Sequence, residues 1–165
     1  MVKNVRRSLL FSLILVLLLG CVPVSAAPAI SKNKALKIAG KYVPSGSKLK
    51  EIDWDEDSTD WELDFLTKNR KTKYELEIDG KTGKLLEIEK ESRSFPAAGS
   101  YKVSKKAAKK KVLKTFKNAK IVKVRKAKKR GAKVYKITFT SSSYRGSAVV
   151  HGRTGKIIEW EKKFR

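Results

Sequence analysis

The chain of 165 residues has little of the side-chain chemistry that enzymes commonly use, since it contains one cysteine and one histidine. His151, the sole histidine, lies in a glycine-rich turn, where we expect it to cap the turn or lie at the surface. We find no nucleophile elbow, phosphate loop, zinc-binding pair of histidines or redox cysteine pair in the sequence. The sequence therefore predicts a protein without catalytic residues, cofactor or metal.

The chain also lacks an apolar run long enough to span a bilayer. Residues 9–20 are apolar except for Ser12, and a spanning helix needs roughly 20 such residues. Basic residues precede this run and small residues follow it, as in a secretory signal. We predict a signal peptide over residues 1–26, cleaved between Ala26 and Ala27, and export from a bacterial cytoplasm. The mature chain would then have no cysteine, which excludes disulfides and cysteine-based metal sites.

A second cleavage site overlaps the first. Residues 18–21 resemble the lipobox of bacterial lipoproteins, although Leu19 is bulkier than the residue usually found at its place. Cleavage before Cys21 would make this cysteine a lipidated N-terminus and anchor the protein to the membrane. Soluble secretion and lipid anchoring both remain open, and both place the protein outside the cytoplasm.

The mature chain contains an internal repeat. Residues 79–87 match residues 151–159 without a gap, with five identities in nine positions. Further upstream, an alternating apolar segment around Leu63 parallels one around Ile137. Similarity in the same order along both halves indicates a tandem repeat. We predict one repeat over 27–91, a linker over 92–99 and a second repeat over 100–165.

Each repeat reads as one helix followed by strands. Ser31 and Ser104 are expected N-caps, and small or apolar residues follow each at helical spacing. Alternating apolar residues predict strands around residues 52–54, 61–65, 74–78, 84–89, 121–124, 134–140, 147–151 and 156–161. The expected fold class is α+β, with each repeat consisting of one helix packed on an antiparallel sheet of about four strands. The sequence leaves open whether the two sheets join.

These features resemble the PepSY family. The resemblance rests on a helix with the small residues Ala35 and Ala39, a strand beginning at Tyr74, and the hairpin over residues 79–86. His151 departs from the pattern, because it stands where the first repeat has an aspartate. The resemblance implies an exported, non-catalytic binding protein. It also implies a modulator or inhibitor of peptidases in the cell envelope, since such domains occur in propeptides of secreted metalloproteases.

Positive charge is concentrated in the second half of the chain. Residues 27–98 hold 14 basic and 14 acidic residues, whereas residues 99–165 hold 23 basic and two acidic residues. Such a surface attracts polyanions such as lipid headgroups or envelope polymers, and we expect no sequence-specific nucleic acid. Membrane contact would come only from a lipid anchor or peripheral charge. The expected polyanion-binding residues are Lys105, Lys106, Lys109, Lys110, Lys117, Lys123, Arg125, Lys128, Lys129 and Arg130.

The first repeat is expected to have an acidic sheet face. Strand alternation turns eight carboxylates away from the helix: Asp53, Asp55, Glu62, Asp64, Glu75, Glu77, Glu87 and Glu89. Like charges facing each other across strands destabilise a sheet. This face is therefore expected to meet a basic surface, such as that of the second repeat in the same chain or in another chain. The alternative is a solvated face that nearby lysines partly neutralise.

The segment from Asp53 to Asp57 also resembles the start of a calcium-binding loop, because aspartates alternate there. Ser58 occupies the sixth position, where such loops have glycine, and Asp64 occupies the twelfth, where they have glutamate. The loop pattern is therefore incomplete, and the sequence assigns no metal ligand.

Overall fold

A computed structural model describes residues 27–97 and 99–165. The predicted signal peptide, including Cys21, and the cleavage after Ala26 lie outside the described residues. Over these described residues the architecture is α+β, with two helices and one antiparallel sheet of eight strands. In the described part of the chain, no helix is long and apolar enough to cross a membrane.

The elements follow the same order in both halves. The first half contains α1 (Lys32–Ala39), β1 (Lys48–Asp55), β2 (Asp60–Leu66), β3 (Thr72–Asp79) and β4 (Leu85–Ser92). The second contains α2 (Lys105–Thr115), β5 (Lys120–Lys129), β6 (Ala132–Thr140), β7 (Tyr144–His151) and β8 (Ile157–Phe164). Strand β5 has 10 residues, whereas the sequence predicted about four. The prediction was too short because polar and basic residues obscure the alternation of apolar residues along this strand.

Both predicted N-caps are confirmed. The hydroxyl oxygens of Ser31 and Ser104 accept the backbone N–H of the residue three positions later in each helix. The helices bury small residues toward the sheet, including Ala35 and Ala108, and small side chains allow the helix axis to approach the strands closely. Leu113 of α2 is exposed.

The two repeats share one sheet, whose strand order is β1-β2-β3-β4-β8-β7-β6-β5. The junction is the antiparallel pairing of β4 with β8, which aligns Glu89 with Glu161. The sheet therefore runs through both repeats without an edge between them. Strands β1 and β5, each with a bulge, form its two outer edges.

Both helices cover the same face of this sheet. Helix α1 contacts β2 and β3, and α2 contacts β5 and β6. Trp160 and Phe164 of β8 pack against the hydrophobic cluster beneath each helix, so the two clusters lie on one side of the sheet. The opposite side carries no helix in the described residues, and we call it the open face.

The linker crosses part of the open face. Phe95 packs on a small cluster that includes Val134, Val149 and Ile158, on the second repeat's side of the sheet. His151, which is fully buried, lies beside it. The linker thus covers one end of the open face of the second repeat and leaves that of the first repeat uncovered.

Candidate functional site

The open face of the first repeat is built from rows of carboxylates. Strand register aligns Asp53 with Glu62, Glu62 with Glu77, and Glu77 with Glu87 across β1 to β4. A second row, two residues along the strands, consists of Asp64, Glu75 and Glu89, and it continues to Glu161 of β8. Asp55 pairs with Asp60 at the end of the β1–β2 hairpin. All eight predicted acidic residues therefore lie on one face, and we call this surface the acidic half.

Lysines neutralise the acidic half only in part. Lys73 lies 2.7 Å from Asp64 and 3.1 Å from Glu75, and Lys163 lies 2.5 Å from Glu87. Lys163 also approaches Glu161 at 3.5 Å. Among the residues that the structure describes, no ion pair reaches the centre of the first row.

The crowding of carboxylates changes their protonation. Burial raises the pKa of Glu77 to about 7, and the charges of Glu87 and Asp60 add to this effect, while Lys163 opposes it. Burial also raises the pKa of Glu89, with Glu75 contributing through its charge. Near neutral pH, this surface therefore attracts cations that could replace its protons.

A shallow cavity of about 140 Å³ lies between the two rows. Its polar lining consists of six carboxylates: Glu62, Asp64, Glu75, Glu77, Glu87 and Glu89. The backbone of Leu63 and Leu76 belongs to the strands beneath it. Such a cavity can accept the ammonium of a lysine or the guanidinium of an arginine, each of which donates hydrogen bonds to several carboxylate oxygens.

The predicted polyanion-binding residues do not form one patch. Lys105, Lys106, Lys109 and Lys110 line an outward groove on α2 beside Leu113, which is 42% exposed. Lys117 lies in the loop after this helix, and Lys128 lies on the helix-covered side of β5. Lys123 and Arg125 lie on the open face, at the far edge of the sheet.

Two members of the set are already paired within the chain. Lys129 forms ion pairs with Glu91 and Glu159, and Arg130 pairs with Glu91 at 2.9 Å. These contacts neutralise carboxylates near the β4–β8 junction. Lys129 and Arg130 therefore differ from the expectation of a free polyanion-binding surface.

His151 has a larger structural role than sequence reasoning gave it. Its Nδ1 accepts the backbone N–H of Thr154 at 3.2 Å, which caps the turn as Asp79 does in the first repeat. Its Nε2 therefore carries the hydrogen and donates a hydrogen bond to the carbonyl oxygen of Pro96 at 2.8 Å. The surface interpretation is corrected, because this side chain is buried beneath the linker.

Asp60 received no role in the sequence analysis, although its position relative to Glu62 and Asp64 follows the same alternation. It is 4% exposed and its Oδ1 has no hydrogen-bond partner. A carboxylate oxygen of Asp60 lies within 4.8 Å of carboxylate oxygens of Asp55 and Glu62. Alternation could have placed Asp60 on this face, but its burial follows from the hairpin packing.

Comparisons with known proteins agree with the repeat. The sequence profile of the family described as "Peptidase propeptide and YPEB domain" matches residues 29–89 and again residues 102–161. No curated protein matches the chain.

Solved structures give three similarities of low sequence identity. A lipoprotein from Clostridium difficile 630 is 16% identical, over 84% of this chain and 96% of its own, with a TM-score of 0.36. The YpeB C-terminal domain of Bacillus megaterium is 16% identical, over 84% and 67%, with a TM-score of 0.33. A BLIP-like protein from Bacteroides fragilis NCTC 9343 is 12% identical, over 82% and 86%, with a TM-score of 0.32. Because the family profile matches both halves and together covers most of the chain, this protein belongs to the PepSY family.

Proposed function

We propose that this protein is an exported, non-catalytic binding protein whose acidic half captures a cationic segment of an envelope protein. The observation that supports this most is the cavity between the carboxylate rows, whose lining contains six acidic side chains. Sheets are destabilised by like charges on facing strands, so a surface of this kind gains stability when a cationic partner binds. The family description, which names peptidase propeptides, favours a peptidase as the partner and modulation of its activity as the outcome.

The second repeat does not supply this partner surface within the same chain. Its strands continue the sheet sideways, so its basic residues lie beside the acidic half and do not stack on it. A basic residue of the second repeat contacts the acidic half at the β4–β8 junction, where Lys163 forms an ion pair with Glu87. A cationic segment from another protein can therefore reach the rows from the open side.

The test is binding of a fluorescent deca-lysine peptide, followed by activity assays of a panel of secreted peptidases. The double variant Glu75→Gln/Glu77→Gln is expected to weaken peptide binding at least tenfold and to lose any effect on a peptidase. Glu51→Gln/Glu56→Gln removes the same charge from exposed positions outside the cavity and serves as the control. Equal binding by both double variants would show that only net charge matters and would refute the proposal.

A second candidate function is binding of anionic envelope surfaces through α2. The supporting observation is that four lysines and the exposed Leu113 share the outward side of this helix. Lysines beside an apolar side chain suit the boundary between lipid headgroups and acyl chains. This function uses the opposite side of the molecule, so it is compatible with capture of a protein by the acidic half.

Vesicle binding distinguishes the lysines of α2 from the basic residues of the strands. We expect binding to phosphatidylglycerol vesicles that falls steeply with added NaCl, and no binding to phosphatidylcholine. Replacing Lys105, Lys106, Lys109 and Lys110 by Gln should abolish binding. Replacing Lys123, Arg125, Lys136 and Arg145 by Gln removes the same charge from positions on the strands. This variant should retain most of the vesicle binding. Equal loss in both variants would contradict a surface specific to α2.

A further inference from the structure

The end of the β1–β2 hairpin brings three carboxylates together on the open face. Asp55 and Asp60 face each other in the strand register, and Glu62 follows Asp60 on the same side of β2. One carboxylate oxygen from each lies within 4.8 Å of the other two. The cluster lies at the outer end of the acidic half, outside the ring of lining residues except for Glu62.

A separate observation concerns the state of Asp60. Its side chain is 4% exposed, and its buried Oδ1 has no hydrogen-bond partner in the described structure. A buried carboxylate oxygen without a donor costs free energy, and pairing with a cation removes that cost. Asp60 is one of the three carboxylates of the cluster, so a cation bound there would neutralise the carboxylate that carries this oxygen.

No side-chain cation compensates these three groups. Among the described residues, the ion pairs of the sheet do not include Asp55, Asp60 or Glu62. The charged groups that act on Asp60 are the further carboxylates of Asp55 and Asp79, and the Ser58 hydroxyl gives partial relief. Asp53 and Asp64 add negative charge beside Glu62.

The donor set and its dimensions suit calcium. Carboxylate oxygens are hard ligands, and calcium takes six to eight oxygens at roughly 2.3–2.6 Å. Oxygens bound to one calcium ion lie at most about 5.2 Å apart. The three carboxylate oxygens lie within 4.8 Å of one another, so a single ion can contact all three. Magnesium demands near-ideal octahedral geometry and gives up its water reluctantly, so a site with three carboxylates on two strands favours calcium. Asp55 is half-buried and Glu62 is exposed, which leaves room for water ligands.

We propose that Asp55, Asp60 and Glu62 form a calcium-binding site at the end of the β1–β2 hairpin. The site differs from the loop pattern of the sequence, because its ligands come from two paired strands and not from alternate residues of one loop. Three protein carboxylates with remaining positions open to water correspond to the weaker class of calcium sites, with dissociation constants of about 10⁻⁴–10⁻³ M. The bound ion would neutralise the hairpin end and fix β1 on β2.

Thermal unfolding of the purified protein tests the site. Addition of 10 mM CaCl₂ to protein treated with EDTA is expected to raise Tm by about 4–10 °C. An equal concentration of MgCl₂ should give a smaller rise, and NaCl at matched ionic strength should give none. Asp60→Asn and Glu62→Gln should lose the calcium response. Asp57→Asn removes the same charge from an exposed position of the same hairpin and should retain it.

Luminescence of Tb³⁺ gives a readout that does not depend on stability. Trp54 and Trp61 lie in the two strands that carry the cluster, with ring centroids 5.4 Å apart, and can sensitise a bound lanthanide. The emission should be displaced by Ca²⁺ and lost in Glu62→Gln, whose exposed position protects folding if Asp60→Asn does not fold. No calcium response in the wild type, or the same response in Glu62→Gln, would overturn the proposal.

Discussion

Glu77 shows how the environment of one residue links stability to pH. Its carboxyl is half-buried between Glu62 and Glu87 in the first row, and burial with these charges raises its pKa to about 7. An unfolded glutamate titrates near 4.3. Between these values the folded state binds more protons than the unfolded state, so the free energy of unfolding decreases as pH rises through this window.

Glu77→Gln is therefore expected to stabilise the protein at pH 8 and to change it little at pH 4. We expect a gain of about 1 kcal/mol at pH 8, discounted from the full shift because the side chain is only half-buried. The wild type should become less stable between pH 5 and pH 8, and the variant should show a flatter profile. Urea unfolding at several pH values measures both quantities.

The control for this prediction is Glu56→Gln, which removes the same charge from an exposed position. It should retain the wild-type dependence on pH. A profile for Glu77→Gln as steep as that of the wild type would contradict the assignment of this titration to Glu77.

The face of the sheet on which a residue lies follows from strand alternation, whereas its burial and its ion pairs do not. The sequence placed Glu62, Glu75 and Glu77 on the open face because successive strand residues point to opposite sides. It could not give the burial of Asp60 or of His151, since each depends on a neighbouring segment that packs over the side chain. Pairing of Lys129 with Glu159 was equally hidden, because it joins strands far apart in the chain.

The linker is held on the second repeat by contacts that include His151 and Arg130. His151 caps its own turn through Nδ1 and holds Pro96 through Nε2, whereas Asp79 in the first repeat caps a turn without a linker above it. Phe95 packs beside the histidine with ring centroids 6.1 Å apart. The difference between the two repeats at this position thus matches the presence of the linker over one of them.

His151→Asn separates the two roles. Asparagine can still accept the N–H of Thr154 and cap the turn, but it does not reach Pro96. We expect a loss of about 1 kcal/mol in the free energy of unfolding, because the partly buried hydrogen bond to the Pro96 carbonyl is lost. The linker should also be cleaved faster by trypsin at Arg93, which limited digestion with mass spectrometry can measure.

Asp79→Asn provides the comparison, since it makes the same kind of change in a turn that holds no linker. Its effect on stability should be smaller, and cleavage at Arg93 should be unchanged. If both variants release the linker equally, the Nε2 contact does not hold it.

Helices and strands were the most predictable level of this structure. Two serine caps and small residues at helical spacing located α1 and α2, and alternating apolar residues located the central strands. Strand β5 was underestimated because an outer strand with few buried side chains carries a weak apolar signal. Helix α1 ends at Ala39, with Gly40 as its C-cap.

At the scale of the whole molecule, the internal repeat predicted two similar units but not how they join. Pairing of β4 with β8 joins residues 68 to 76 positions apart, and local sequence patterns do not record such contacts. Ion pairs accompany the pairing of the two strands: Lys163 pairs with Glu87, and Lys129 and Arg130 pair with Glu91. The basic second repeat thereby neutralises some of the carboxylates of the first repeat along the β4–β8 junction. The sequence alone does not indicate these pairs.

A continuous sheet with a shared core should unfold as one unit. Trp160 lies half-buried between the two hydrophobic clusters and contacts Phe116 beneath α2 at a centroid distance of 5.7 Å. Phe164 also packs against both clusters. Loss of either repeat would expose these side chains and the pairing edge of the other, so partial unfolding is expected to be costly.

The prediction is that a lesion confined to the second repeat lowers the stability of the first by the same amount. Val112→Ala removes a fully buried side chain beneath α2 and should cost about 1–3 kcal/mol. In a Trp160→Phe background, the remaining tryptophans, Trp54 and Trp61, report on the first repeat alone. Their fluorescence midpoint in urea should shift together with the midpoint from circular dichroism, which reports on both repeats. A fluorescence midpoint that stays in place while the circular dichroism splits into two transitions would show that each repeat folds by itself and that the β4–β8 seam joins two already stable units.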